Sequence, residues 1–117
     1  ELLAMWRECN GSSALGLDPD ADSFAERVAR FRRARDEFVL GQIADWQGDR
    51  DGAIEHYVRS AELSGDFTAG YAQCLTWAAM QARSRPEAAR ALLHRLVAAQ
   101  PERRAARELL ERLEERD

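Results

Sequence analysis

Large apolar residues recur at helical spacing along most of this chain, and Gly, Pro or Asp interrupts the pattern at short intervals. Phe24, Val28, Phe31 and Phe38 begin the longest series, which no Gly or Pro interrupts before Gly41. The alternating β-branched run that is typical of a half-buried strand is found nowhere in the sequence. The sequence therefore predicts an all-α fold, whose short connections make consecutive helices antiparallel.

Turn and capping residues divide the pattern into helices. We expect a short helix over 1–9, a loop to Asp22 and a long helix over 23–47. Three shorter helices follow, and a final helix covers 102–116. Gly65 is expected to end the first of these three shorter helices as a left-handed cap. The residues expected to begin helices have short polar side chains that accept backbone N–H groups: Ser23 with Glu26, Asp49 or Asp51, Asp66, and Ser84 with Glu87.

Charge and composition limit the classes of function. The formal net charge is −4, which argues against nucleic-acid binding. No apolar run approaches the ~20 residues needed to span a bilayer, and the start does not resemble a signal peptide, so a cytoplasmic protein is expected. Two arginine runs, 27–35 and 103–107, are predicted to be solvated helix faces with ion pairs. The alternative for them is a basic docking patch for an acidic partner.

The basic residues also indicate the source of the chain. All 17 are Arg, a bias that GC-rich coding produces, so a GC-rich bacterial origin is expected. The first residue is Glu rather than Met, and the chain is therefore expected to be a processed or excised piece.

An internal repeat is indicated by the small residues that follow the long helix. Leu40-Gly41 is followed by Ala53, Tyr57 and Ala61, which is the spacing of the tetratricopeptide repeat (TPR). In that pattern Gly41 and Ala53 let two helices approach closely, and Tyr57 fills the space between repeats. The stretch 34–67 therefore resembles one TPR unit.

A second unit over 68–101 resembles the family less well. Tyr71 matches the aromatic residue of the first helix, and Ala89, Leu96 and Pro101 match the second helix. Leu75 stands where Gly is expected. The resemblance implies a single domain over 1–117, with atypical N-terminal helices and a loop at 1–33 and a polar capping helix at 102–117. The expected architecture is a short right-handed superhelix of antiparallel helix pairs.

The resemblance also implies a concave surface, lined by the first helix of each unit, that binds a peptide or partner protein. The corresponding candidates for partner binding are Arg35, Phe38, Gln42, Asp45, Trp46, Gln73, Thr76 and Met80, with Ala69 and Ala72 beside them. Core packing is the alternative for Phe38 and Trp46. Only Arg35 matches the basic clamp with which some members of the family bind chaperone tails, so that ligand is not expected.

No motif for chemistry is found. His56 and His94 are far apart and are expected at the surface, Cys9 and Cys74 are expected as reduced structural thiols, and the acidic stretch 18–22 does not complete a calcium loop. We therefore expect no catalytic residues, no cofactor and no metal.

Three functions remain open at this point. The first is a non-catalytic interaction or scaffolding module of TPR type. The second is a helical accessory region of a larger bacterial enzyme, whose active site lies elsewhere in the parent chain; the parent reading frame would separate it from the first. The third is a helical bundle that self-associates, which light scattering would test.

Overall fold

The computed structural model describes residues 19–115, with side chains from Ser23 onward. The described residues form five helices: α1 (Pro19–Trp46), α2 (Arg50–Leu63), α3 (Ala69–Gln81), α4 (Pro86–Ala99) and α5 (Arg104–Glu115). The prediction of an all-α fold is confirmed for this range. The helix predicted over 1–9 lies outside the described residues.

The five helices form two layers around one core. Each helix packs on the next along the chain, and α1 also contacts α3, α3 contacts α5 and α2 contacts α4. Helices α1, α3 and α5 therefore make one layer and α2 and α4 the other. Most of the large side chains of the core come from the four C-terminal helices: Ile54, Tyr57, Val58, Tyr71, Cys74, Trp77, Leu92, Leu93, Leu96, Leu110 and Leu113.

Small residues bring the first three helices close together. A Cβ on Gly41 would lie 2.5 Å from Cε1 of Tyr57 and 3.1 Å from the carbonyl oxygen of Ala53. On α3, a Cβ on Gly70 would lie 2.6 Å from the carbonyl oxygen of Tyr57. The Tyr57 ring fills the remaining space and packs on Phe38, with ring centroids 5.1 Å apart. The predicted close approach at Gly41 and Ala53 is confirmed.

The turn between α1 and α2 is the one that the sequence predicts. Gly48 has a φ of +86°, which only Gly adopts without strain. The N–H of Asp49 donates to the Ala44 carbonyl at 2.9 Å, and that of Gly48 donates to the Asp45 carbonyl at 3.0 Å. These two bonds form a Schellman motif. The Asp49 carboxylate then accepts the N–H of Gly52 at 3.0 Å and caps α2.

Two predicted capping boxes are wrong. Ser23 lies inside α1, which begins at Pro19, so 19–22 are helical and not a loop. Proline suits a first helical turn because its φ is fixed and its missing N–H needs no partner there. At the other box, α4 begins at Pro86, and the Ser84 hydroxyl donates to Oε1 of Gln81 at 3.1 Å instead of capping the helix.

Two further predictions fail at the connection between α2 and α3. Helix α2 ends at Leu63, and its C-cap Ser64 has extended backbone. Gly65 does not form a left-handed cap, because Gly48 is the only glycine with a positive φ in the described range. Helix α3 is preceded by Thr68, and Asp66 does not cap it. The Asp66 carboxylate accepts hydrogen bonds from the Arg27 guanidinium, with Nε at 2.6 Å.

Distant side chains hold this connection in place. Gln100 is buried, and its Nε2 donates to the Ala61 carbonyl at the end of α2 at 2.8 Å. Arg103 donates to the Gly65 carbonyl at 3.0 Å. The connection is therefore tied both to the start of α1 and to the segment before α5.

The last helix packs as the sequence predicts. Its Leu110 and Leu113 are buried in the same cluster as Leu92 and Leu96 of α4. The sequence also places opposite charges four residues apart, Arg107 with Glu111 and Glu108 with Arg112, but these ion pairs do not form. Arg107 donates to the Pro101 carbonyl, and Nε of Arg112 lies 3.5 Å from the Glu108 carbonyl.

Candidate protein-binding surface

The candidate residues predicted on α1 and α3 are mostly exposed. On α1, Arg35 and Gln42 are exposed, and Trp46 has 90% of its surface open to solvent. The alternative of core packing therefore does not hold for Trp46. On α3, Gln73 and Thr76 are exposed, and Met80 is 68% exposed. Both large apolar side chains of this set, Trp46 and Met80, therefore lie at the surface.

Two candidates, Phe38 and Asp45, contact residues outside their own helix. Phe38 is half-buried and packs on Tyr57 and on Phe67, whose ring centroid lies 5.5 Å away. Asp45 accepts the Tyr57 hydroxyl at 3.3 Å and pairs with Nε of Arg50 at 3.0 Å. Burial, and then the charge and hydrogen bond of Asp45, raise the pKa of the Tyr57 hydroxyl. Both candidates hold α1 on α2.

A groove of about 380 Å³ runs between α3 and α5. Its floor is apolar and its rim carries one acidic and one basic side chain, from the lining residues Leu75, Thr76, Ala79, Ala105, Glu108, Leu109 and Arg112. The space exists because Ala79 and Ala105, both exposed, have short side chains. A groove of this kind can take one large apolar side chain and place charged groups beside it.

The sequence identified only Thr76 among the groove residues. In the sequence, Leu75 is a departure from the repeat pattern, and the final helix is predicted to be a polar cap. The signal available was an i,i+4 pair of one leucine and one alanine on each helix, Leu75 with Ala79 and Ala105 with Leu109. That pairing marks a groove only once α3 and α5 are known to be neighbours.

A second exposed apolar surface lies on α1. Val39, Leu40 and Ile43, which we name the α1 stripe, are 44%, 47% and 45% exposed. At 100° per residue they lie on the side of the helix turned away from Ala34 and Gly41, which are buried. The sequence gives no signal for this exposure, because α1 carries apolar residues on most of its faces.

The arginine runs mainly form contacts within the chain. Arg27 binds Asp66, Arg30 lies 4.0 Å from Glu26, and Arg35 lies 3.6 Å from Asp36. This agrees with the expectation of an ion-paired helix face for the run 27–35. In the run 103–107 the expectation fails, because Arg103 and Arg107 donate to the backbone carbonyls of Gly65 and Pro101 instead.

On the opposite layer, Arg95 of α4 binds two carboxylates of α2. Its guanidinium donates to Glu55 and to Glu62, each at 3.0 Å, and the hydrogen bond holds the pKa of Glu55 below its ordinary value. Glu55 also forms an i,i+4 ion pair with Arg59 at 3.3 Å. These contacts stabilise the packing of α2 on α4.

The remaining titratable groups are dispersed. Burial raises the pKa of the Cys74 thiol to about 12. His56 lies 2.8 Å from Glu37, and His94 lies 4.0 Å from Glu114. Among the described side chains, no three His, Cys, Asp or Glu residues lie close enough together to hold a metal ion. Of the helices between residues 19 and 115, none combines the length and apolar character that crossing a bilayer requires.

Comparison of the chain with protein-family models, with curated proteins and with solved structures found no match. Function is therefore inferred from the exposed surfaces and their chemistry.

Proposed function

We propose that this chain is a non-catalytic protein-interaction module of TPR type, which binds a peptide or an extended segment of a partner protein. The binding surface is the layer of α1, α3 and α5, and its anchoring site is the groove between α3 and α5. The two repeat units are 34–67 and 68–101, and 102–117 closes the array.

The packing of the first helix pair supports the TPR assignment. Gly41 contacts the edge of the Tyr57 ring and the backbone at Ala53. Ala53 and Ala61 are buried, as small residues of a closely packed pair must be. The contacts between alternate helices are also those expected of a stacked array, in which each pair packs on the next.

The observation that carries the proposal is the apolar groove. Leu75 and Leu109 are half-buried in its walls, and Ala79 and Ala105 leave room for a side chain of the partner. Burying one large apolar side chain contributes about 1.5–3 kcal/mol, enough to act as an anchor. The rim charges of Glu108 and Arg112 then select the residues beside that anchor.

Exposed side-chain amides extend the proposed binding surface from the groove toward α1. Gln42 on α1 and Gln73 on α3 are both exposed, and an amide can donate to and accept from a peptide backbone. Trp46 and Met80 add apolar area at the ends of the same helices. A ligand that contacts all of these has an extended backbone and a large apolar residue near one end.

The test is selection from a displayed library of random peptides, followed by calorimetry of the enriched peptides. Ala79→Leu fills the groove and should weaken binding about tenfold or more, because the apolar anchor loses its place. Ala91→Leu is the matched control: Ala91 is also exposed, but it lies on α4 in the other layer. It should leave the affinity unchanged.

Two results would contradict the proposal. One is that Ala79→Leu and Ala91→Leu bind the selected peptides equally well. The other is that selection on the wild-type protein enriches no peptide that selection on the Ala79→Leu variant does not also enrich. Circular dichroism of both variants checks that each remains helical.

A further inference from the structure

The two arginine runs are far apart in the sequence but meet at the connection between α2 and α3. Arg27 of α1 binds the Asp66 carboxylate, with Nε at 2.6 Å, and Arg103, just before α5, donates to the Gly65 carbonyl at 3.0 Å. The hydrogen bond from Arg27 lowers the pKa of Asp66, and the charges of Arg30 and Arg103 add to this effect. Three guanidinium groups therefore lie around the Asp66 carboxylate.

These arginines have side chains that a partner can reach. The name arginine patch is used below for Arg27, Arg30, Arg103 and Arg104. The side chains of Arg27 and Arg30 are 61% and 50% exposed, and Arg104, the first residue of α5, is exposed. Arg30 lies 4.0 Å from Glu26, which is too far for a hydrogen bond. A guanidinium has several N–H donors, so Arg27, which uses Nε and Nη2 within the fold, keeps a donor for another carboxylate.

Arg103 and Arg104 connect the arginine patch to the groove between α3 and α5. The guanidinium carbon of Arg103 lies over the Tyr71 ring, 5.5 Å from its centroid. Tyr71 is one helical turn before Leu75, which lines the groove. On α5, Arg104 directly precedes Ala105, which lines the groove from the other side. The groove and the arginine patch are therefore continuous.

The charge of the surface changes from the groove to the patch. Helix α3 carries no charged side chain between Ala69 and Gln81, and the groove rim carries one charge of each sign, on Glu108 and Arg112. The patch is positive and attracts carboxylates. The formal net charge of the whole chain is −4, which disfavours a long polyanion and leaves a short acidic segment as the ligand that fits.

The spacing along α3 indicates where these carboxylates stand in the partner. Leu75 lies about 9 Å along the axis from Ala69, where α3 begins beside the patch. An extended peptide covers that distance in about three residues. We infer that the partner segment carries Asp or Glu about three or more residues from its apolar anchor, on one side only, and that the arginine patch binds them. This inference rests on the proposed function, because the groove holds the anchor.

The sequences of library-selected peptides test the inference. Selection on the wild-type protein should enrich Asp and Glu on one side of the large apolar residue, about three to five positions away from it. Selection on a double variant, Arg30→Gln with Arg104→Gln, should enrich the same apolar residue without the acidic ones. Circular dichroism checks that the double variant remains helical.

Calorimetry with one acidic peptide measures the size of the effect. Arg30→Gln and Arg104→Gln should each weaken binding about two- to fivefold, as expected of exposed ion pairs. Arg59→Gln is the matched control and should leave the affinity unchanged. Arg59 is exposed on α2 in the other layer and has an acid four residues before it, as Arg30 does.

A change in the peptide separates a direct contact from an indirect effect. Replacing its Asp and Glu residues by Asn and Gln should weaken binding to the wild-type protein severalfold. The same replacement should have little effect on binding to the double variant, because the positive partners are already absent. Equal losses in both proteins would show that the acidic residues do not contact Arg30 or Arg104, and would overturn the inference.

The other outcomes are also distinct. Selected peptides that share an apolar anchor without acidic residues would overturn this inference and leave the groove as the binding site. A failure to select any peptide would overturn the proposed function and this inference with it. Retention of single-stranded DNA by the wild-type protein, but not by the double variant, would assign the patch to nucleic acid instead.

Discussion

Gly41→Ala and Gly70→Ala are predicted to destabilise the fold, although each change favours a helix. In an open helix interior, Ala is about 1 kcal/mol more favourable than Gly. At Gly41 the new Cβ would lie 2.5 Å from the Tyr57 ring, and at Gly70 it would lie 2.6 Å from the Tyr57 carbonyl oxygen and 2.9 Å from Cβ of Ser60. Carbon atoms do not tolerate such distances, so the neighbours must move.

The two positions differ in what has to move. At Gly70 the obstacle is the backbone of α2, so the whole of α3 must shift; overpacking of this kind costs about 1–3 kcal/mol and outweighs the helix preference. At Gly41 the obstacle is the edge of a ring, which can tilt, so the net loss is smaller. We expect a loss of about 1–2 kcal/mol at Gly70, or roughly 4–8 °C in Tm, and about half of that at Gly41.

Urea and thermal unfolding followed by circular dichroism measure both losses. Gly65→Ala is the control, because the nearest side-chain atoms lie 3.9 Å from the new Cβ. Its stability should stay within about 0.5 kcal/mol of the wild type. If Gly41→Ala and Gly70→Ala both raise Tm, helix preference alone governs these positions. That result would contradict the conclusion that the first three helices pack closely at these glycines.

Three other changes test separate contacts. Gln100→Leu removes the donor to the Ala61 carbonyl and should cost about 1–3 kcal/mol in urea unfolding, because that buried oxygen loses its partner; stability equal to the wild type would show that water replaces the amide. The hydrogen bond from Arg27 lowers the pKa of Asp66, so its contribution is present above the unfolded pKa of about 4 and is lost as the pH falls through the folded value. In Asp66→Asn, the free energy of unfolding should therefore differ less between pH 6 and pH 3 than it does in the wild type. The change is only about 0.5 kcal/mol because the pair is exposed. The same difference in both proteins would contradict the pairing. Deleting 102–117 should lower Tm, promote association in light scattering and abolish binding of peptides that need the groove. A truncated protein that is monomeric, equally stable and still binds these peptides would show that α5 neither covers the core nor lines the groove.

The helices and their closest contact could be predicted from the sequence because both depend on local spacing. Apolar residues at helical period locate the helices, and Gly41 with Ala53 and Tyr57 predicts where two of them meet. The Asp49 cap was also predictable, since its partner Gly52 is three residues away.

Several caps could not be predicted because they depend on competition with distant residues. Asp66 has the right chemistry to cap α3, but Arg27, 39 residues away, binds its carboxylate in the fold. Gln100 has no local signal at all, because its partner, the Ala61 carbonyl, is also 39 residues distant.

The sequence predicts the part of the candidate site that depends on position within one helix, and misses the part that depends on contacts between helices. Gln42, Trp46 and Gln73 follow from the register of the first helix in each unit, and all three are exposed. The groove between α3 and α5 depends on which helices become neighbours, and a list of residues does not contain that information.

The most direct test of the interaction surface is to follow backbone amide NMR signals of the wild-type chain during titration with a library-selected peptide. The account predicts that the largest shift changes fall on 73–80 of α3 and 105–112 of α5, with smaller ones near Trp46. Signals of exposed positions on the other layer, such as Arg59 and Ala91, should stay in place. Changes concentrated on α2 and α4, with 73–80 and 105–112 unaffected, would contradict it.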